Sequence, residues 1–161
     1  MSDIEQNQRI ISDYRETGNP WPATAVSIAR WAIAQNLWGV HPSKMLRQCA
    51  DQIAEAMRQE FITDPQGRRV RVKHAAPYKE QGHLFIKWDD MRTASHQHME
   101  MAFAHRRQQI VGDCRQLKVD IDSYNENFRP STERLIQGVF DFRDDLEELE
   151  FADSLSVAGA L

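Results

Sequence analysis

Basic and apolar side chains alternate from Arg69 to Lys73, directly after a turn that contains Pro and Gly. Successive side chains of a strand point to opposite faces, so Val70 and Val72 are expected on the core, with Arg69, Arg71 and Lys73 facing solvent. Three cations on one strand face suit contacts with phosphate oxygens. The alternative is a solvated strand whose charges discourage pairing at a sheet edge.

The elements around this strand indicate a small antiparallel sheet. Asp64-Pro65-Gln66-Gly67 matches a type I turn, and Phe61-Ile62-Thr63 before it supplies the partner strand of a hairpin. A loop is predicted over 75–82. His83 to Trp88 is predicted as a third strand, paired into the same sheet.

An amphipathic helix is predicted before the hairpin. Leu46, Cys49, Ile53 and Met57 recur at three- and four-residue steps and form one apolar stripe. An earlier helix, 23–38, is apolar nearly all round and is therefore expected to pack on several sides, with Thr24 as its N-cap. Two closely connected helices of this kind fit a helix-turn-helix, although other helical domains contain them too. The side chains suited to base or phosphate contact lie in the first turns of the second helix: Lys44, Arg47 and Gln48. Asp51 and Glu55 on the same exposed face oppose contact with a polyanion.

The segment Asp64-Pro65-Gln66-Gly67-Arg68-Arg69-Val70-Arg71-Val72 resembles the wing of the MarR-type winged-helix regulators. That wing often has Asp-Pro, two further residues, Arg-Arg and then alternating apolar residues. The resemblance implies a recognition helix in the major groove, wing arginines on the backbone or in the minor groove, and a dimer formed by terminal helices. The candidate DNA-contacting residues are Lys44, Arg47, Gln48, Arg68, Arg69, Arg71 and Lys73.

Long apolar seams follow the sheet region. One seam lies in a helix that begins near Arg92. After a break at Pro130, a second helix is predicted to restart at Ser131 or Thr132, so the two form an antiparallel hairpin. The candidate dimer-interface residues on these seams are Phe103, Ile110, Leu117, Ile121, Tyr124, Leu135, Val139, Phe142 and Leu146. The tail 152–161 is predicted to be frayed.

Charge is unevenly distributed along a chain whose net charge is -4. Eight basic and four acidic side chains give 41–79 a net +4, whereas one basic and seven acidic side chains give 141–153 a net -6. A negative total argues against coating nucleic acid through bulk charge and leaves a local basic contact possible. The acidic stretch is predicted to be a solvated face, with mimicry of nucleic acid or contact with a basic partner as the alternatives.

The remaining composition predicts a cytoplasmic globular protein. No apolar run reaches the ~20 residues of a membrane span, and the N-terminus lacks the pattern of a signal peptide. Cys49 and Cys114 lie at apolar positions of two predicted helices and are expected to be core residues.

Metal and catalytic chemistry have weak support in the sequence. His96 and His98 are two residues apart and would point to different sides of a helix, whereas a helical chelating site such as HExxH places its histidines at i and i+4; His105 and Glu100 do not supply that histidine pair. The acid pairs Asp89-Asp90 and Asp144-Asp145 have no accompanying nucleophile or Gly-rich loop, so solvated or capping roles are expected. No enzyme activity, metal or cofactor is predicted.

Together these patterns predict a mainly α protein with a small antiparallel sheet, an α+β fold. We expect a winged-helix-like head (1–90), a helical hairpin serving as a dimerisation arm (91–151) and the tail. The predicted function is DNA binding by a transcriptional regulator whose basic wing contacts duplex phosphates. The expected partners are duplex DNA and a second copy of the chain or another helical protein, without a membrane. The alternative is a protein-interaction module that binds no nucleic acid.

Overall fold

A computed structural model describes residues 2–159, which divide into two compact units with the boundary after Gln59. The chain is mostly helical and contains two antiparallel two-stranded sheets, which confirms the α+β class. Within the described residues, no helix is long and apolar enough to cross a membrane. The boundary between the two units follows Gln59, whereas the sequence patterns predict a division at 90/91.

Three helices form the first unit: α1 (Asp3–Glu16), α2 (Ala25–Ala34) and α3 (Met45–Arg58), the last preceded by a 3-10 turn at Pro42–Lys44. Ser2 and Glu5 form a capping box at the start of α1, and Thr24 caps α2 as predicted by accepting a hydrogen bond from the Ser27 N–H (3.1 Å). The two helices meet where the Tyr14 and Trp31 rings pack edge to face, 5.6 Å apart.

The expectation that α2 packs on several sides is wrong. Ala32 is its buried residue, and Val26 and Ile33 are 65 % and 54 % exposed. The amphipathic α3 forms as predicted, but it contains no buried residue and Leu46 is 83 % exposed. A unit of about 60 residues has little interior with which to cover every apolar face.

The second unit begins with a hairpin of β1 (Phe61–Thr63) and β2 (Arg69–Arg71), which confirms the predicted hairpin. The Gly67 N–H donates to the Asp64 carbonyl (2.9 Å), which closes the predicted turn. Gly67 has a φ of +85°, a conformation that glycine adopts without steric cost. The Asp64 Oδ1 accepts from the backbone N–H groups of Gln66 (3.0 Å) and Arg68 (2.8 Å) and so fixes the loop.

The second sheet corrects two predictions. β3 (Lys73–Glu80) occupies most of the expected loop at 75–82, and β4 (His83–Asp90) pairs with β3 in a separate sheet rather than with the β1–β2 hairpin. Pro77 favoured the prediction of a loop at 75–82. Proline is tolerated within β3 because this strand pairs with β4 on one side only. Val72, fully buried, joins the two sheets: its N–H donates to the Glu60 carbonyl and its carbonyl accepts from the Met91 N–H.

The long helix α4 (His96–Ser123) packs on β3 and is followed by one π-helical turn, Tyr124–Phe128. The Asn125 side chain then bonds both backbone groups of Ile136, at 2.8 and 3.0 Å. Residues 129–142 contain no regular element, and the last helix, α5, spans Arg143–Ala158.

The predicted helix restart at Ser131 or Thr132 is therefore wrong. Pro130, Gly138 and the β-branched Val139 disfavour a helix there, whereas Asp144 and Asp145 lie in the first turn of α5, where the helix dipole favours acids. The tail predicted to be frayed is helical to Ala158; residues 160 and 161 lie outside the described part.

Candidate nucleic-acid interface

Two arginines of the hairpin lie against one aromatic ring. The strand register places Phe61 opposite Arg71 and Thr63 opposite Arg69, so these four side chains share one face. The guanidinium carbon of Arg69 lies 4.7 Å from the Phe61 ring centroid and that of Arg71 lies 6.0 Å from it. Both distances are in the range of cation–π contacts, which order the arginine side chains without neutralising them.

A third arginine comes from α4. Phe103 and Arg106 are one helical turn apart, and both line a cavity of about 490 Å³ beside the hairpin. Burial, and after it the positive charge of nearby Arg71, lower the pKa of Arg106 below its ordinary value. The cavity thus brings cations from two elements together over an apolar floor. Its lining is Phe61, Arg69, Val70, Arg71, His74, Met91, Phe103 and Arg106, and we call it the basic groove.

Other cations of the hairpin region are paired with acids. The Arg68 Nε lies 2.7 Å from an Asp64 carboxylate oxygen, and the Lys73 Nζ lies 3.4 Å from carboxylate oxygens of both Glu60 and Asp90. Among the residues the structure describes, neither Arg69, Arg71 nor Arg106 forms such an ion pair. Among the cations of the hairpin, those without an acidic partner are therefore the ones in the basic groove, whereas the predicted cations Arg68 and Lys73 lie in ion pairs.

A buried hydrogen-bond chain joins the strands to α4. His98, 2 % exposed, has its Nε2 2.9 Å from the His74 carbonyl and its Nδ1 2.6 Å from the Tyr78 hydroxyl. The carbonyl only accepts, so Nε2 carries the proton and Tyr78 donates to Nδ1. The His74 Nε2 donates in turn to the Arg71 carbonyl (2.8 Å), and the His74 ring meets Phe103 edge to face at 5.2 Å. Arg71 and Phe103 of the groove are therefore held by one network.

The predicted contact residues of the helix belong to the first unit, whereas the residues of the basic groove belong to the second. Arg47 and Gln48 belong to α3 and Lys44 to the 3-10 turn before it, where Lys44 is paired with Asp3. These three residues line a cavity of about 280 Å³ together with Asp3 and Asp51. Acids so close reduce the attraction that this surface exerts on a phosphate.

The predicted dimer-interface residues occupy four parts of the second unit. Phe103, Ile110, Leu117 and Ile121 lie on α4, and Tyr124 lies in the π-helical turn; Leu135, Val139 and Phe142 lie in the irregular segment, and Leu146 lies on α5. Ile121 is partly buried, and the others are at least 40 % exposed, with Val139 at 78 %. They present a long apolar surface, although not the continuous helical seam that was predicted after Pro130.

The histidines and cysteines take separate positions. His96 lies 3.3 Å from Glu100 on the exposed side of α4, while His98 faces the sheet. Within residues 2–159, no group of three or more His, Cys, Asp or Glu side chains is placed to hold a metal ion. Cys49 is exposed and Cys114 partly buried, so the prediction that both are core residues is wrong for Cys49.

Sequence reasoning missed Phe61, His74, Met91 and Arg106 as parts of the groove and assigned Phe103 to a dimer. One signal for Arg106 was present in the helical spacing. His98, Ala102 and Arg106 follow one another at four-residue steps, so Arg106 continues the side of α4 on which His98 and Ala102 are buried. The pairing of that helix with the hairpin depends on contacts far apart in sequence, which periodicity does not encode.

Asp90 gives the stability of the second unit a dependence on pH. Hydrogen bonds from the Arg92 side chain and backbone, and then from Lys73, hold the pKa of the Asp90 carboxyl well below its ordinary value. Because the folded-state pKa lies below the unfolded value of about 4, the carboxylate stabilises the fold above that pH and loses its effect as pH falls toward the folded pKa.

We therefore expect Asp90→Asn to lower the free energy of unfolding at pH 6 and the difference from wild type to shrink steadily below pH 4. Urea unfolding of both proteins from pH 6 to pH 2.5 measures this. Asp153→Asn on α5, a carboxylate with no such partners in the described residues, serves as the control and is expected to show a smaller pH-dependent difference. A difference for Asp90→Asn that is constant over this range would contradict the assignment.

Comparison with protein-family models, with characterised proteins and with solved structures finds no match to this chain. The function is therefore argued from the chemistry of the basic groove itself.

Proposed function

We propose that the protein binds DNA through its phosphates at the basic groove and acts as a transcriptional regulator. The observation that carries the proposal is the group of three arginines, Arg69, Arg71 and Arg106, gathered from two elements and left without acidic partners among the described residues. Like charges repel one another, so this arrangement gains most from a polyanion that neutralises it.

The choice of arginine favours phosphate as the ligand group. A guanidinium offers its N–H donors in a planar fork that matches two phosphate oxygens, and it remains charged at any physiological pH. The Phe61 ring orders two of the three forks, which lowers the entropy lost when they bind. The net charge of -4 argues against DNA binding by the protein surface as a whole. Binding to phosphates is therefore proposed only at the basic groove.

The order of the elements supports a winged-helix-like head, as expected from the sequence. Three helices followed by a short hairpin is the order of a winged-helix head, and the basic residues lie on the hairpin that would form the wing. The exposed apolar residues of α4 support its role as part of a dimerisation arm.

Titration of a fluorescent 20-base-pair duplex of mixed sequence, followed by anisotropy, tests this proposal. Three phosphate contacts give a slope of about -2.7 in log affinity against log salt, so binding should weaken about 40-fold between 50 and 200 mM salt. Absence of binding at 50 mM salt both to this duplex and to a single strand of the same sequence, or an affinity independent of salt, would overturn the proposal.

The second candidate is a protein-interaction module without nucleic-acid binding. It is favoured by the exposed apolar side chains of α4, α5 and the segment between them, such as Ile110, Val139 and Leu149. Sedimentation in the same buffer separates the two candidates: a protein that binds no DNA but sediments above the monomer mass supports the module.

A further inference from the structure

We infer that the basic groove binds an unpaired nucleotide, with its phosphate on the arginines and its base against Phe103, so that single-stranded DNA is preferred over duplex. This inference rests on the proposed function and specifies the form of nucleic acid that the site takes. It follows from the apolar side chains that line the groove, Phe61, Val70, Met91 and Phe103, rather than from its charges.

The floor is aromatic and open to solvent. Phe103 is 49 % exposed and Phe61 is 38 % exposed, although both side chains would be covered if they served only the core. The His74 and Phe103 rings form a T-shaped pair, with their centroids 5.2 Å apart and their planes at 75°, so the two rings are not stacked face to face. Met91 and Val70 complete an apolar lining beneath the arginines.

A duplex leaves such a floor unused. Bases inside a double helix are stacked on each other, so a duplex offers mainly phosphates to a hairpin whose strands have three residues each. A base outside the stack can lie on an aromatic ring while its phosphate meets the cations around it, as in sites that bind single strands. The cavity of about 490 Å³ is in the size range of small-ligand sites, roughly 300 to 1,000 Å³.

The arrangement of the cations agrees with this occupant. Arg69 and Arg71 lie over Phe61 on the hairpin side and Arg106 comes from the helix side, so the groove has charged walls and an apolar floor. A single inorganic anion would gain nothing from Phe103, and an apolar ligand would leave three charges unpaired. A nucleotide satisfies both parts at once.

The test compares three labelled ligands at 100 mM salt: a 12-nucleotide single strand, its duplex, and a single strand of the same length with abasic sites. Wild type should bind the intact single strand about tenfold more tightly than the abasic strand, because stacking is lost in the latter. It should also bind that strand more tightly than the duplex.

Two variants isolate the ring. Phe103→Leu keeps an apolar side chain of similar size but has no aromatic face, so its affinity for the intact strand should fall to the abasic level while its salt dependence stays unchanged. Phe103→Trp keeps the ring and should retain the wild-type preference. Circular dichroism melts of each variant verify the fold, and Phe103→Trp decides the result if Phe103→Leu is unfolded.

Failure of the inference is distinct from failure of the proposed function. Salt-dependent binding in which the duplex and the abasic strand bind as tightly as the intact strand overturns the inference and leaves DNA binding in place. Absence of binding to all three ligands overturns both.

Discussion

Replacing Arg69 and Arg71 together with alanine should weaken binding of DNA about 100-fold at 100 mM salt. A hydrogen bond to a charged group contributes roughly 1.5–3 kcal/mol, so two lost contacts remove about 3 kcal/mol or more. The loss should be similar for unrelated DNA sequences, because phosphate contacts carry no sequence information directly. The salt slope should also flatten by nearly two, one for each phosphate released. Anisotropy titrations at several salt concentrations measure both quantities.

Two neighbouring cations provide controls for this double variant. Lys79→Ala removes a charge from an exposed position near the far end of β3, and Arg68→Ala removes a charge already paired with Asp64. Each should weaken binding by less than about threefold, in line with the modest influence of exposed or paired charges. If Lys79→Ala lowers affinity as strongly as a single substitution at Arg69 or Arg71, general charge rather than the groove accounts for binding.

His98→Ala should lower the free energy of unfolding of the second unit by about 3 kcal/mol. The substitution removes a buried ring and leaves the Tyr78 hydroxyl and the His74 carbonyl without their partner; each unsatisfied buried group costs about 1–3 kcal/mol. Urea unfolding monitored by circular dichroism measures the change. Because the network also fixes Arg71 and Phe103, DNA binding should weaken in the fraction that remains folded.

Tyr78→Phe provides the graded counterpart to His98→Ala. It removes one hydroxyl while keeping the ring, so a smaller loss of about 1 kcal/mol is expected. His96→Ala, two residues away on the exposed side of α4, should change stability by less than about 0.5 kcal/mol. Equal effects at His96 and His98 would show that the buried network does not hold the unit together.

The hairpin could be predicted from the sequence because its determinants are local. Asp64, Pro65 and Gly67 specify the turn. The alternation after Gly67 specifies which side chains lie together on each face of the strand. Val72 is fully buried as expected. Lys73, which was expected to face solvent on the same strand, instead begins β3 and lies in an ion pair with Glu60. Sequence alternation shows the face of a charge but not whether an acid from elsewhere neutralises it.

The groove and the irregular segment depend on distant contacts and could not be predicted in the same way. His74 and His98 are 24 residues apart, and only the packing of α4 on β3 brings them together. The heptad-like spacing through Leu135 and Val139 predicted a helix, but hydrogen bonds from Asn125 to Ile136 and the residues Pro130 and Gly138 favour an extended path. The spacing of apolar residues therefore does not by itself specify whether the backbone between them is helical.

The basic groove exists only in the folded second unit, so ligand binding and folding are thermodynamically linked. Arg71 and Arg106 are separated by 35 positions in the chain, so the unfolded protein offers a ligand only scattered cations, whereas the folded unit offers them together. A ligand that binds the groove therefore stabilises the native state by an amount that grows with the logarithm of its concentration. If that ligand is nucleic acid, as we propose, it would also favour folding of a unit whose helices expose much apolar surface.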